Sequence, residues 1–105
     1  MQLMTKAIEK SFSKFPLRSQ DGRGLEAEVI VKYFGGSSAT WLVTEGEKLE
    51  DGDWEFFGYV TLGYEWEWGY FRLSEISALR FPPFGLGVER DLYLGSHAKI
   101  KDMIK

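Results

Sequence analysis

Residues 54–75 are the part of the sequence that most constrains the fold, because residues 54–71 contain nine of the seventeen aromatic residues of the chain. Large apolar residues recur there with a period of two, which is the pattern of a β-strand. The alternation stops near Gly63 and then resumes, so the segment is predicted to form a β-hairpin. Both strands have aromatic residues on both faces. The sheet is therefore either covered on both faces or has an aromatic face that is free for a partner.

The length and composition favour one domain that needs no disulfide or metal for its stability. A chain of 105 residues is long enough to bury about two-thirds of the surface of its unfolded form. The absence of cysteine excludes disulfides, a thiolate nucleophile and cysteine-ligated metals. No apolar stretch approaches the roughly 20 residues of a membrane span, and the first residues lack the apolar run of a signal peptide. We expect a cytoplasmic protein of one domain, residues 1–105, with no cofactor and no membrane partner.

The order of the remaining patterns predicts an α+β domain. Its first helix has Thr5 as N-cap, and the short helix after the hairpin has Ser74 as N-cap. The predicted elements are, in chain order, a helix from Thr5 to about Phe15, strands at residues 26–34, 40–45, 54–62 and 66–73, a helix at 75–79, a strand at 88–94 and a helix near 97–104. We therefore expect a mainly antiparallel sheet of about five strands with an N-terminal helix and two short helices.

The sequence resembles a known family over nearly its whole length. The resemblance rests on residues 3–8, 31–34, 41–45 and 56–60, and most specifically on Gly-Tyr-Phe-Arg-Leu-Ser-Glu at 69–75 and Glu-Arg-Asp-Leu at 89–92. These blocks are similar to the DUF2958 family, a domain of unknown function found in bacterial plasmids, phages and other mobile elements. The resemblance implies that setting and no defined chemistry. Similar proteins tend to have Arg-Gly-Pro-Phe-Gly where this chain has Arg-Phe-Pro-Pro-Phe-Gly at residues 80–85.

The second strand of the hairpin contains the main candidate for a binding surface. Trp66, Trp68 and Tyr70 fall on one face of that strand, and Glu65 and Glu67 flank the tryptophans. Exposed aromatic residues with an acidic rim are typical of a surface that binds a basic protein. The same rings would also serve as core, since burial of apolar surface contributes about 25 cal/mol for each Å². We interpret the chain as a non-enzymatic interaction module with an unidentified protein partner.

The uneven distribution of charge supports a second hypothesis, that the chain binds nucleic acid. The net charge is −3, but residues 45–67 contain eight Asp or Glu and one Lys. Lys6, Lys10 and Lys14 are spaced four apart on the first predicted helix, and Arg18 extends this basic row. Such a row would contact phosphates. A solvated helix face has the same pattern, and the acidic middle of the chain would repel phosphate unless it lies on the far side.

A third hypothesis is a metal-dependent hydrolase. Glu89 and Asp91 share one face of the predicted fifth strand. A third carboxylate from Glu45 or Glu75 would complete a set of ligands for Mg²⁺. An edge strand in which Arg90 pairs with a neighbouring acid accounts for the same residues without a metal.

Overall fold

A five-stranded antiparallel sheet forms the centre of the fold in the computed structural model, which describes residues 2–104. The elements are, in chain order, α1 (Lys6–Lys14), a 3₁₀ turn (Gly24–Glu26), β1 (Val31–Gly35), β2 (Ala39–Lys48), β3 (Trp54–Thr61), β4 (Trp66–Arg72), α2 (Leu73–Ala78), β5 (Glu89–Arg90) and α3 (Ile100–Met103). The strands lie in the order β4-β3-β2-β1-β5, and each neighbouring pair is antiparallel. This arrangement confirms the predicted α+β class and the number of strands.

The first strand is shorter than the pattern of residues 26–34 predicts. Gly24–Glu26 forms the 3₁₀ turn, and residues 27–30 lie outside β1. The Val29 N–H donates to the carbonyl of Ala98 at 2.7 Å, so residues 27–29 pair with the C-terminal part of the chain. Alternation in the sequence identifies an extended backbone, but it does not identify the segment with which that backbone pairs.

The C-terminal elements are also shorter than predicted. The strand predicted at residues 88–94 contains only the two residues of β5, and the Asp91 N–H after it donates to the Lys32 carbonyl at 3.0 Å. The helix predicted near residues 97–104 is reduced to α3, which has four residues. None of the helices within residues 2–104 has the length and apolar character to cross a membrane.

The helix after β4 begins earlier than predicted and has a different N-cap. Arg72 is the N-cap, and its N–H donates to the carboxylate of Glu75 at 2.7 Å. The hydroxyl of Ser74, the predicted cap, instead donates to Asp53 at 2.6 Å. The Ser74 bond joins the start of α2 to the residue before β3.

The first face of the sheet, which we call the helix face, is covered by α1 and α2. Thr5 caps α1 as predicted, since its hydroxyl accepts from the Ile8 N–H at 3.2 Å. Phe12 of α1 packs on Trp54 and Phe56, with ring centroids 5.6 and 5.4 Å apart. The buried residues of this main core are Phe12, Val31, Tyr33, Ala39, Trp41, Val43, Trp54, Phe56, Ile76 and Val88.

The second face, which we call the aromatic face, is covered only in part. A smaller core lies on it, formed by Ala27, Val29, Leu42 and Ile100. The half-buried residues Tyr59, Trp66, Leu94, Met103 and Ile104 pack against this core. Further along the same face, Trp68 and Tyr70 of β4 are exposed. The chain therefore covers the helix face more fully than the aromatic face.

Candidate partner-binding surface

Five aromatic side chains form a continuous row on the open part of the aromatic face. Successive ring centroids are 5.3, 4.5, 5.7 and 4.8 Å apart. These separations lie within the range of about 4.5 to 7 Å in which aromatic pairs attract each other. The members of this aromatic row are, in spatial order, Trp66, Tyr59, Trp68, Phe57 and Tyr70.

The register of β3 and β4 brings the members of the row together. Phe57 lies opposite Tyr70, and Tyr59 lies opposite Trp68. Trp66 lies opposite Thr61 and packs diagonally on Tyr59. Because successive side chains of a strand point to opposite faces, all five rings are on the aromatic face.

Two members of the row come from positions that the sequence patterns do not single out. Phe57 and Tyr59 are on β3, across from the residues that the alternation of β4 identifies. The signal for them is the alternation of β3 itself, once the register of the hairpin is known. Trp41 and Trp54 are buried on the helix face and take no part in the row.

Among the three members of the row on β4, exposure increases from Trp66 to Tyr70. Trp66 is half-buried and packs against the smaller core. Trp68 is 40% exposed and Tyr70 is 60% exposed. The Trp66 end is therefore anchored in the domain, and the Tyr70 end is available to another molecule.

Two carboxylates without a cationic partner lie at the start of β4. Glu65 and Glu67 are exposed, and neither forms an ion pair with another residue in the described range 2–104. Glu47, Glu50 and Asp51 are also exposed, but they lie at the opposite end of the hairpin, near the turn between β2 and β3. The two carboxylates at the start of β4 favour the approach of cationic groups.

A buried carboxylate holds the loop that lies next to the Tyr70 end of the row. A β-bulge between Val43 and Glu45 places Glu45 opposite Phe57. The Glu45 carboxylate accepts from the backbone N–H of Arg18 and, at 3.0 Å, from that of Gln20. Glu45 is thus used to position the loop, and its oxygens are occupied by these backbone donors.

A buried glutamine fixes the wall of a groove beside Trp68. The Gln20 amide nitrogen donates to the carbonyls of Glu28 and Thr44 at 2.9 and 2.8 Å, and its oxygen accepts from the Glu28 N–H at 2.8 Å. A groove of about 310 Å³ lies between this loop and the side chains of Phe57 and Trp68. The exposed aromatic rings thus border a concave surface.

A second concave region, which we call the Gly69 cavity, lies on the helix face of β4. Its volume is about 520 Å³, and its lining includes Val60, Glu67, Gly69 and Phe71. A Cβ atom placed on Gly69 would have no heavy atom within 4 Å. The chain leaves apolar space beside β4 on this face too.

The predicted basic row is divided in the structure. Lys10 and Lys14 line a cleft of about 460 Å³ between α1 and the C-terminal segment, whereas Lys6 is outside it. Arg18 lies elsewhere and bonds to the carboxylate of Asp21, with 3.1 Å between Nε and Oδ2. This hydrogen bond and the charge of Asp21 raise the pKa of Arg18. The basic row therefore has no continuation at Arg18.

The carboxylates of the third hypothesis lie apart. Asp91 pairs with Lys32, with 3.8 Å between Oδ2 and Nζ, and accepts from the Tyr93 N–H at 2.8 Å. Glu89 lies on β5 at one edge of the sheet, whereas Glu75 accepts from the backbone at the start of α2. In the part of the chain that the structure describes, no three His, Cys, Asp or Glu side chains are grouped so as to hold a metal ion.

Comparison with known proteins identifies a family. A family model described as "Protein of unknown function (DUF2958)" matches residues 3–105. No curated protein and no solved structure matches the chain. The matched range includes all strands of the sheet and the whole aromatic row.

Proposed function

The chain belongs to the DUF2958 family of proteins of unknown function, and on this premise we propose that it is a non-enzymatic, cytoplasmic interaction module of bacterial mobile elements. The proposed ligand is a protein with a basic surface. Trp68 and Tyr70 are the proposed contact residues, Trp66 anchors them, and Glu65 and Glu67 form the acidic rim. The observation that carries the proposal is the exposure of two aromatic residues at the end of a row that is otherwise packed.

The packing of the row prepares Trp68 for binding. Its ring is stacked on Phe57 with an angle of 7° between the planes, and both residues are on strands. A ring that is already held in place loses little conformational entropy when a partner covers it. Tryptophan and tyrosine with this property are common among the residues that dominate binding energy in protein interfaces.

The charge beside the Trp66 end of the row supports a basic partner. Glu65 and Glu67 are exposed and unpaired within the described residues 2–104. Complementary charge at the rim of an interface increases the rate of association and disfavours acidic competitors. It also disfavours phosphates, although rows of aromatic residues on sheets do bind single-stranded nucleic acid in other folds.

Site-specific crosslinking tests this proposal. The photoreactive residue p-benzoylphenylalanine is placed at Tyr64, which is 96% exposed next to the Gly69 cavity, and, as a matched control, at Tyr93, which is 92% exposed beyond β5. We expect a protein adduct from position 64 in the host cell, no such adduct from position 93, and loss of the adduct when Trp68→Ala is added. Absence of a protein adduct at position 64, or an adduct that Trp68→Ala does not change, contradicts the proposal.

A nucleic-acid role is the second candidate, and the position of Lys10 and Lys14 along one cleft favours it. The test is a mobility-shift titration with DNA and RNA at several salt concentrations. A phosphate-binding cleft predicts an affinity that falls steeply with salt and decreases in Lys10→Gln and Lys14→Gln. Lys48→Gln, which changes an exposed lysine of β2, is the matched control. No shift at low salt contradicts this candidate.

A further inference from the structure

We propose that β4 is a docking edge to which an extended basic segment of the partner adds as a sixth strand. This inference rests on the proposed function and specifies the binding mode and the chemistry of the partner. β4 is an outer strand of the sheet, with β3 as its one neighbour among the strands described for residues 2–104. Its seven residues are long enough for a regular ladder with an added strand.

The backbone groups of alternate β4 residues point away from the sheet. The carbonyl of Phe57 accepts from the Thr44 hydroxyl at 3.2 Å, so Phe57 directs its backbone groups toward β2. Opposite residues of an antiparallel pair direct these groups either toward each other or away from each other. Tyr70, opposite Phe57, therefore directs its N–H and C=O away from β3. The period of two extends the same orientation to Trp68.

Arg72 supports this assignment independently. Its position is two residues beyond Tyr70, so its backbone groups have the same orientation. Its N–H donates to the carboxylate of Glu75 at 2.7 Å, which is a side-chain acceptor at the start of α2. The first helix turn thus satisfies the last outward N–H of β4, and those of Trp68 and Tyr70 are available to an added strand.

The two sides of β4 predict which side chains an added strand has. On the aromatic face its residues would lie beside Trp68 and Tyr70, where a lysine or arginine gains a cation–π contact. On the helix face its residues would lie over the Gly69 cavity, whose lining includes Val60 and Phe71. An extended segment in which basic and apolar residues alternate fits both sides.

The charge at the start of β4 disfavours parallel pairing with a second copy of the chain. Two β4 strands paired in parallel would bring the carboxylates of Glu65 and Glu67 from both copies close together, and like charges across an interface are costly. Two antiparallel β4 strands centred on Gly69 would instead place Glu67 opposite Phe71, so dimerisation through β4, measured by sedimentation, would overturn the proposal. A basic segment neutralises the same carboxylates. Proteins commonly protect long edge strands with lysine or proline, and β4 contains neither, its charged residues being Glu67 and Arg72. The carboxylates of Glu65 and Glu67 lie at the start of this long edge, and there they are complementary to the basic residues of an added strand.

The experiment uses the synthetic peptide acetyl-Lys-Val-Lys-Val-Lys-Val-Lys-amide with the full-length protein. We expect binding by calorimetry, and in the complex we expect amide hydrogen exchange at Trp68 and Tyr70 to slow by about tenfold or more. The matched control peptide has the same sequence with N-methyl groups on alternate residues. It keeps the charge but loses the N–H donors along one edge, so its affinity is expected to fall by about tenfold or more.

Protein variants complete the test. Glu65→Gln with Glu67→Gln is expected to lower the affinity for the peptide by about fivefold to tenfold at low salt, and Tyr93→Ala is expected to leave it unchanged. Equal binding of the methylated peptide, or slowed exchange outside β4, overturns strand addition. If crosslinking at position 64 captures a protein but the peptide does not protect β4, strand addition is wrong and the proposed function stands. If neither occurs, both are wrong.

Discussion

Trp68 lies parallel to Phe57 across the β3–β4 pair, with ring centroids 5.7 Å apart and an angle of 7° between the planes. Phe57 covers one face of the indole, and 40% of the tryptophan residue is still exposed. Part of the packing energy of this residue is therefore realised within the domain, and the remainder is available to a partner. This division makes the effects of mutation on stability and on binding separable.

Trp68→Ala is expected to abolish binding of the partner while lowering the free energy of unfolding by only about 1 to 2 kcal/mol, because the residue is partly exposed. Trp54→Ala is the contrasting variant, since Trp54 is 7% exposed and contacts Phe12. It is expected to cost about 3 to 5 kcal/mol. Urea denaturation measures both values, and a stability loss in Trp68→Ala equal to that in Trp54→Ala would contradict this assignment.

Gly58 and Gly69 lie opposite each other but are expected to respond differently to alanine. A Cβ atom on Gly58 would collide with the carbonyl oxygen of Leu42, which belongs to the backbone of β2 and has little freedom to move. Gly58→Ala is therefore expected to destabilise the domain by about 3 kcal/mol. Gly69→Ala has open space, so its effect on unfolding is expected to stay within about 0.5 kcal/mol.

The variants Gly58→Ala and Gly69→Ala also test whether the Gly69 cavity takes part in peptide binding. Gly69→Ala places a methyl group in the space that an added strand would occupy, so peptide affinity is expected to decrease although stability does not. Thermal melts and calorimetric titration of the two variants provide the measurements. Equal destabilisation by both substitutions would contradict the open space beside Gly69.

Ser74→Ala is expected to weaken the loss of folding stability that occurs when the pH is lowered into the acid range. The Ser74 hydroxyl, followed by the backbone N–H groups of Trp54 and Ser74, lowers the pKa of Asp53 from its ordinary value of 3.8. A carboxylate with a lowered pKa in the folded state stabilises the fold above pH 3.8, and this contribution is lost as the pH falls through the lower, folded-state value. The difference in melting temperature between the two proteins is thus expected to shrink below pH 3.8. A difference that stays constant at all pH values would contradict this linkage.

Tyr33→Phe is expected to change stability at neutral and at alkaline pH. The buried Tyr33 hydroxyl donates to the Leu3 carbonyl at 2.6 Å, so its removal is expected to cost about 1 kcal/mol at pH 7. Burial raises the pKa of Tyr33 above its ordinary value of 10.0. The unfolded chain therefore releases this proton first, and the folded state loses stability as the pH rises above 10.0.

The phenylalanine variant has no such proton. Its stability is therefore expected to decline less above pH 10.0 than that of the parent protein. Urea denaturation at pH 7 and about pH 11 makes this comparison, and Tyr93→Phe, which changes an exposed tyrosine, is the control. Parallel decline of the parent and Tyr33→Phe would contradict the contribution of the buried hydroxyl.

The sequence predicts best what depends on local periodicity. The hairpin of residues 54–75 and the shared face of Trp66, Trp68 and Tyr70 follow from the period of two alone. The cap at Thr5 follows from the chemistry of a free N–H in the first helix turn.

Features that depend on distant parts of the chain are not predictable in this way. Glu45 looks like any acid in an acidic segment, but a bulge and two backbone donors about 25 residues earlier make it a buried support of the loop. Residues 27–29 alternate like a strand, yet they pair with the C-terminal segment through Val29 and Ala98. These outcomes depend on how the chain folds back on itself, which local patterns do not contain.

The two outer strands of the sheet differ greatly in length, since β4 has seven residues and β5 has two. A ladder needs several consecutive residues, so β5 offers too short a template for regular pairing. Of the two edges of the sheet, β4 is therefore the one to which another strand can be added. Complexes formed there should have a stoichiometry of one to one and should terminate without propagating into filaments.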